Sequence, residues 1–195
     1  MKLSDKLILV DCDGVLLDWQ YGFYRWMRDR GFEPINHTEY DIGKIFNMPK
    51  PEAKSYVRQF NESAAIGWLP QLRDSVKYVR RLHEDHGFVF HCITSLSEDI
   101  YAGKLRKKNL EALFGKTAFE KIECLDCGAD KDEALEPYRD TGCLWVEDKP
   151  ENAITGQIMG LDPILINHPH NTHFNMSKYS IRRVSNWREI YDSLV

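Results

Sequence analysis

Five short apolar runs alternate with stretches of helical periodicity, and this alternation restricts the chain more than any other feature. The runs fall at residues 6–11, 88–93, 121–125, 143–146 and 163–166, each too short for a typical helix and each followed by polar or turn residues. Between them, Val76, Val79 and Leu82 recur at intervals of three behind Asp74, and Leu105, Leu110, Leu113 and Phe114 run to a stop at Gly115. Asp130 is suited to cap a helix from Lys131, Pro150 suits a first helical turn, and Ser185 or Asn186 precedes a stretch carrying Trp187, Ile190, Tyr191 and Leu194. Such alternation predicts an α/β fold, a Rossmann-like parallel sheet with helices on its faces.

The pattern breaks once. More than seventy residues separate Asp11 from Phe88, whereas a simple crossover needs about a dozen. Phe23, Trp26 and Met27 mark one helix between Gly22 and Gly31, prolines follow at Pro34 and Pro49, and a second helical stretch runs over residues 51–62. These features predict a small helical cap at residues 21–73, inserted after the first strand, with residues 1–20 and 74–195 forming the core domain.

At 195 residues, 43% apolar and 29% charged, the chain suits one large globular core. No apolar run approaches the roughly 20 residues of a spanning helix, and the N-terminus lacks the apolar stretch of a secretory signal. Five scattered cysteines suit a reducing compartment, so the expectation is a cytoplasmic protein without membrane partners. Cys124 and Cys127 form a CxxC, but no second pair follows to complete a four-ligand zinc site. A net charge of −4 gives no general attraction to nucleic acid polymers, which bind through Lys and Arg. Homodimerisation stays open.

Ligands of open parallel sheets collect at the carboxyl ends of the strands. The first run ends in Asp11 and Asp13, the second in Thr94 and Ser95, the third leads to Lys131, and the fourth ends in Glu147, Asp148 and Lys149. Each residue alone has an ordinary explanation as a turn former, a local hydrogen-bonder or a solvated cation. Four strand ends supplying nucleophile, hydroxyl, cation and acids to one crevice do not. Two like charges ~4 Å apart cost about 4 kcal/mol at an effective dielectric near 20, so the gathered carboxylates need a cation. Oxygen donors without nearby His or Cys favour Mg2+, which binds through one or two carboxylates and a substrate phosphate.

Residues two apart in an extended segment face the same side, so Asp11 and Asp13 share the crevice while Cys12 turns away. Asp11 is the expected nucleophile toward a phosphoryl group, and Asp13 the acid and base for leaving group and water. Thr94 and Ser95, with Lys131, are expected to hold phosphoryl oxygens. The candidate metal ligands are Asp11, Asp13 and Asp148, with Glu147 as a further ligand or helper.

These pieces resemble the four motifs of the haloacid dehalogenase superfamily: "DCDGVLLD" the first, "ITS" the second, Lys131 the third and "WVEDKPENA" the fourth, in order along nearly the whole chain. Within it the chain is similar to the 5'(3')-deoxyribonucleotidases, through "DCDGVLLDWQYGFYRWM", "VFHCITS", "LFG" before "FEKIECLD", and "INHPHNTHF" ahead of "VSNWREIYDSL". The resemblance implies Mg2+-dependent hydrolysis of a small phosphomonoester, a nucleoside monophosphate, with the base stacked on aromatics between core and cap. Three positions depart from it: "LSED" follows the second motif in place of a proline, Ala129 stands where a basic residue is expected, and the fourth motif opens with Glu147 in place of Asp. A capped phosphatase for another phosphorylated metabolite is the alternative. A phospho-receiver domain would carry its acidic pair and phosphorylated Asp in a different order.

Trp19, Phe46 and Phe60 are the candidate walls of a base pocket, since flat aromatic faces stack on any base; taken individually, Phe46 and Phe60 suit the cap core better than the pocket, and Trp19 the pocket. His168, His170 and His173 lie in a loop without helical spacing and are expected to border the site. The run "KLRKK" reads as a solvated helix face, from which Arg106 or Lys107 reaches a phosphate if the helix begins beside Thr94.

Overall fold

A computed structural model describes residues 6–175 and 177–195; residues 1–5 and 176 of the expected core range lie outside them. Six parallel strands form one sheet in the order β3-β2-β1-β4-β5-β6. They are β1 (Leu7–Val10), β2 (Val89–Ser95), β3 (Phe119–Leu125), β4 (Leu144–Glu147), β5 (Asp162–Ile166) and β6 (Arg182–Val184). The α/β expectation holds, with five strands near their expected positions and β6 in addition.

Strand β1 is buried on both sides, which is why it reads as an unbroken apolar run: Ile8, Leu9 and Val10 have no exposed surface. Successive side chains point to opposite faces. Leu9, Ile93 and Trp145 meet Leu135, Tyr138 and Met159 on one face. Ile8, Val10, Phe90, Cys92 and Val146 join a larger core on the other, which continues without interruption into Phe23, Phe46 and Phe60.

The helices are α1 (Trp19–Arg28), α2 (Ile42–Phe46), α3 (Lys50–Asn61), α4 (Ser75–His86), α5 (Ile100–Phe114), α6 (Asp132–Leu135), α7 (Pro150–Ile158) and α8 (Trp187–Leu194). Asp18 caps α1 by accepting from the Tyr21 amide (3.0 Å), and Asn186 caps α8 through the Glu189 amide (3.1 Å). Pro150 begins α7 as its fixed φ suits. Helix α6 starts one residue later than expected, leaving Lys131 ahead of it as the N-cap residue. Helices α1 to α4 occupy the long connection between β1 and β2, the first three of them ahead of residue 74.

Strand β1 pairs with β2 on one side and β4 on the other, and chain winding reverses between these neighbours. That reversal opens a crevice beyond the strands' carboxyl ends, where Asp11, Thr94 and Asp148 emerge.

Candidate active site

A cavity of about 960 Å³ lies at this crevice, with Asp11, Asp13, Thr94, Ser95, Lys131 and Asp148 in its lining. Its volume suits a substrate of metabolite size. The geometry of the floor begins at Asp11, whose amide donates to the Val146 carbonyl (2.9 Å) and so continues the β1–β4 ladder one residue past the strand.

The Asp11 carboxylate is 8% exposed and lies 2.8 Å from Lys131 Nζ. Burial pushes its pKa up to about 8; Lys131 opposes that rise, while Glu147, Asp148 and Asp13 add to it. Lys131 itself is 2% exposed and also reaches Glu147 Oε1 at 2.6 Å. Burial works against its charge, but Asp11 and Glu147 outweigh that and raise its pKa.

Glu147 has no exposed surface. Its Oε1 accepts from Lys131 and from Asn152 Nδ2 (2.7 Å), and its Oε2 from the amides of Asp148 (2.8 Å) and Lys149 (2.7 Å). One oxygen each of Asp11, Glu147 and Asp148 lies within 4.8 Å of the others, yet both Glu147 oxygens are already filled. Glu147 therefore stands as the helper, fixing Lys131 and the turn after β4, and Asp11 and Asp148 keep oxygens for a cation.

Asp148 sits against Gly14, where a Cβ would fall 2.4 Å from Oδ2 and φ is +78°; only glycine serves there. Burial raises the Asp148 pKa, but His170, His168 and Lys131 together bring it below the ordinary value. His170 Nε2 stands 3.4 Å from Asp148 Oδ2, and His168 Nε2 donates to the Gly14 carbonyl (2.7 Å). Their rings stack at 5.2 Å. Both histidines line the cavity, whereas His173 lines a smaller neighbouring one.

Asp13 faces the cavity as its spacing predicts, but its carboxylate is outside the Asp11–Glu147–Asp148 group. Arg106 holds it with two hydrogen bonds (2.5 and 2.8 Å) and also donates to Cys12 Sγ (2.8 Å). Burial raises the Asp13 pKa against the opposing pull of Arg106. Arg106 has no exposed surface, so the solvated reading of "KLRKK" is corrected at that residue: the arginine serves Asp13, while Lys107 pairs outward with Glu111 at 3.8 Å.

Thr94 is 1% exposed and its hydroxyl has no partner, a state that suits an incoming oxygen ligand. The Ser95 hydroxyl is engaged, donating to the Ala129 carbonyl at 2.8 Å.

The aromatics separate. Trp19 lines the cavity, stacked on Phe23 at 4.6 Å and held by its Nε1 donating to Asn61 Oδ1 (2.9 Å). Phe60 has no exposed surface and Phe46 has 7%; both pack edge-on against Phe23, at 5.3 and 5.9 Å. Neither reaches the cavity, so their place among the pocket walls is corrected to the core beneath it. Asn61, missed by sequence reading, is 2% exposed and ties Trp19 to the Leu96 carbonyl beyond β2 through its Nδ2 (2.8 Å).

No protein-family model matches the chain. An uncharacterised 32.4 kDa protein of Enterobacteria phage T4, from the Gp30-rIII intergenic region, is 31% identical over 125 residues. The match takes in 60% of this chain and 44% of that protein, so the chain spans less than half of its relative. A haloacid dehalogenase-like hydrolase of Streptococcus pneumoniae superposes with a TM-score of 0.68, covering 97% of this chain and 98% of its own at 13% identity. The haloacid dehalogenase-type hydrolase YfnB of Bacillus subtilis, whose structure is bound to magnesium, gives 0.63 with 97% and 98% covered at 15% identity. The chain has the haloacid dehalogenase fold. Within that fold, no helix among the described residues is long and apolar enough to cross a membrane.

Proposed function

We propose that the protein is a Mg2+-dependent phosphomonoesterase that hydrolyses nucleoside or deoxynucleoside monophosphates through an aspartyl-phosphate, with residues 21–73 as a cap over the site. One observation carries the chemistry: a buried carboxylate, Asp11, faces the same cavity as the Lys131 ammonium and the unpartnered Thr94 hydroxyl.

The donor set fits a hard divalent ion. Asp11 and Asp148 offer carboxylate oxygens a few ångströms apart, and burial, with smaller contributions from Glu147, Asp148 and Asp13, disfavours the charged form of Asp11, a cost that a bound cation would offset. When bound, Mg2+ supplies charge neutralisation for the carboxylates and the phosphate.

The chain's own groups account for the remainder. An Asp11 oxygen attacks phosphorus, the bond to the leaving oxygen breaks, and Asp13 delivers the proton that oxygen needs. Asp13 then takes a proton from water as the water oxygen attacks phosphorus, freeing phosphate and restoring Asp11. Lys131 and Thr94 hold phosphoryl oxygens, where charge stabilisation is usually the largest effect. Arg106 keeps Asp13 turned to the cavity. Trp19, an aromatic side chain in the cavity wall, supports a planar base as the leaving group's outer part.

The test is phosphate release from a panel of nucleoside monophosphates and sugar phosphates, with and without Mg2+, by wild type and Asp11→Asn. Expected are Mg2+-dependent turnover of nucleotides and a loss of about 1,000-fold or more in the variant. Full activity in Asp11→Asn removes the covalent mechanism, and sugar phosphates outperforming every nucleotide removes the substrate assignment.

A further inference from the structure

Helix α3 lines the cavity along a stripe of helical spacing that carries Lys50, Lys54, Arg58 and Asn61, with Pro51 and Ser55 beside it. Lys50, Lys54 and Arg58 follow one another at intervals of four, so three cations rise in a row from the floor toward the rim. The row is anchored at its lower end. Asn61 reaches the Leu96 carbonyl, and Arg58 is neutralised by Asp126 at 3.0 and 3.1 Å and by Glu62 at 3.4 Å.

The upper two cations differ. Among the described residues, neither Lys50 nor Lys54 has a carboxylate within 4.0 Å. Glu52 lies between them in sequence but does not line the cavity, and the lining acids Glu39 and Asp41 are engaged: Glu39 pairs with Lys44 at 3.3 Å, and Asp41 accepts from the Gly43 amide at 2.8 Å. At 1.5 Å per residue, Lys54 stands roughly 10 Å up the helix from Asn61, and Lys50 about one further turn. Two uncompensated ammonium groups thus share a cavity with the phosphoryl-binding floor.

We infer that the preferred substrate carries a second anionic group, a phosphate or carboxylate on its leaving portion, which Lys50 and Lys54 hold while the scissile phosphoryl sits on Asp11. This rests on the phosphomonoesterase reading and extends its substrate class beyond monophosphates: among nucleotides it favours nucleoside bisphosphates, whose second phosphate the lysines hold. The lysines are specificity determinants remote from the reacting atoms.

The experiment compares kcat/KM within matched pairs, for wild type and the Lys50→Gln/Lys54→Gln double variant. One pair is a nucleoside 3',5'-bisphosphate against its 5'-monophosphate; the other is 3-phosphoglycerate against glycerol 1-phosphate, so the arms separate phosphate from carboxylate. Expected is a preference of about tenfold or more for the doubly anionic member of at least one pair, falling toward one in the double variant and with added salt. A ratio of one in wild type for both pairs, or a ratio untouched by the double substitution, overturns the inference. p-Nitrophenyl phosphate, which has no second anion, reports on the phosphatase reading separately. If it and every other ester resist hydrolysis, calorimetric binding of the same pairs to wild type and double variant decides the second-anion site by the same ratios.

Discussion

Glu147 holds Lys131 at 2.6 Å with no exposed surface of its own, and Lys131 in turn stands 2.8 Å from Asp11. The charge that faces the cavity is therefore set by an acid that does not face it. Glu147→Gln would leave the buried ammonium with one carboxylate in place of two, and breaking a buried pair costs about 3–5 kcal/mol. The expected result is a urea midpoint shifted to match that loss. An unchanged midpoint would mean that Lys131 finds water or another partner, against its burial here.

The Asp13–Arg106 pair gives a sharper comparison. Arg106→Met strands a partly buried carboxylate, whereas Asp13→Asn combined with Arg106→Met removes both charges. The single arginine variant should be the less stable of the two, with a coupling of about 1–3 kcal/mol in a double-mutant cycle read by chemical denaturation. Additive losses would show that the fork geometry contributes nothing.

Sequence made the sheet legible where burial on both faces forces a continuous apolar run, as in β1. It hid β6, which has three residues, two of them arginines, and only Val184 buried. Asp11, Thr94, Lys131 and Asp148 were legible because they terminate strands or start the turn beyond one. Arg106 was not. It sits inside a basic run, fully buried arginine is rare, and its partner lies 93 residues away in the chain. Aromatic identity likewise cannot say which ring faces a cavity: Trp19 and Phe60 share one cluster at 5.5 Å, and only the fold decides that the indole is the one at the surface of the pocket.

Metal-free protein should lose stability as pH rises. Asp11 titrates near 8 in the folded chain, against an ordinary 3.8. Between those values the folded state holds a proton that the unfolded state has released, so stability falls through this window as pH increases. Asp13, also raised by burial, acts in the same direction. Melting temperatures in a chelator at pH 5, 6.5 and 8 should decline for wild type and flatten in Asp11→Asn. Saturating Mg2+ should reverse the decline, contributing about 2.7 kcal/mol at a hundred times its Kd. Superimposable pH profiles for wild type and Asp11→Asn would contradict the crowded-carboxylate picture.

Trp19 and Phe60 touch, yet their substitutions should fail differently. Phe60 has no exposed surface and meets Phe23, Trp19 and Trp26 edge-on. Phe60→Ala opens a cavity costing about 3–5 kcal/mol, and the expected readout is a lowered melting temperature with KM for a nucleotide nearly unchanged below the transition. Trp19 presents its ring to the cavity and is oriented by Asn61. Trp19→Ala should raise KM for nucleotides about tenfold, since stacking on a base is worth about 1–3 kcal/mol. For p-nitrophenyl phosphate, whose small ring does not extend that far along the cavity, the rise should be smaller. Steady-state kinetics on both esters, beside thermal melts of both variants, make the comparison. Equal KM increases in the two variants would mean that the indole acts only as packing and that the base, if one binds, lies elsewhere along the cavity wall.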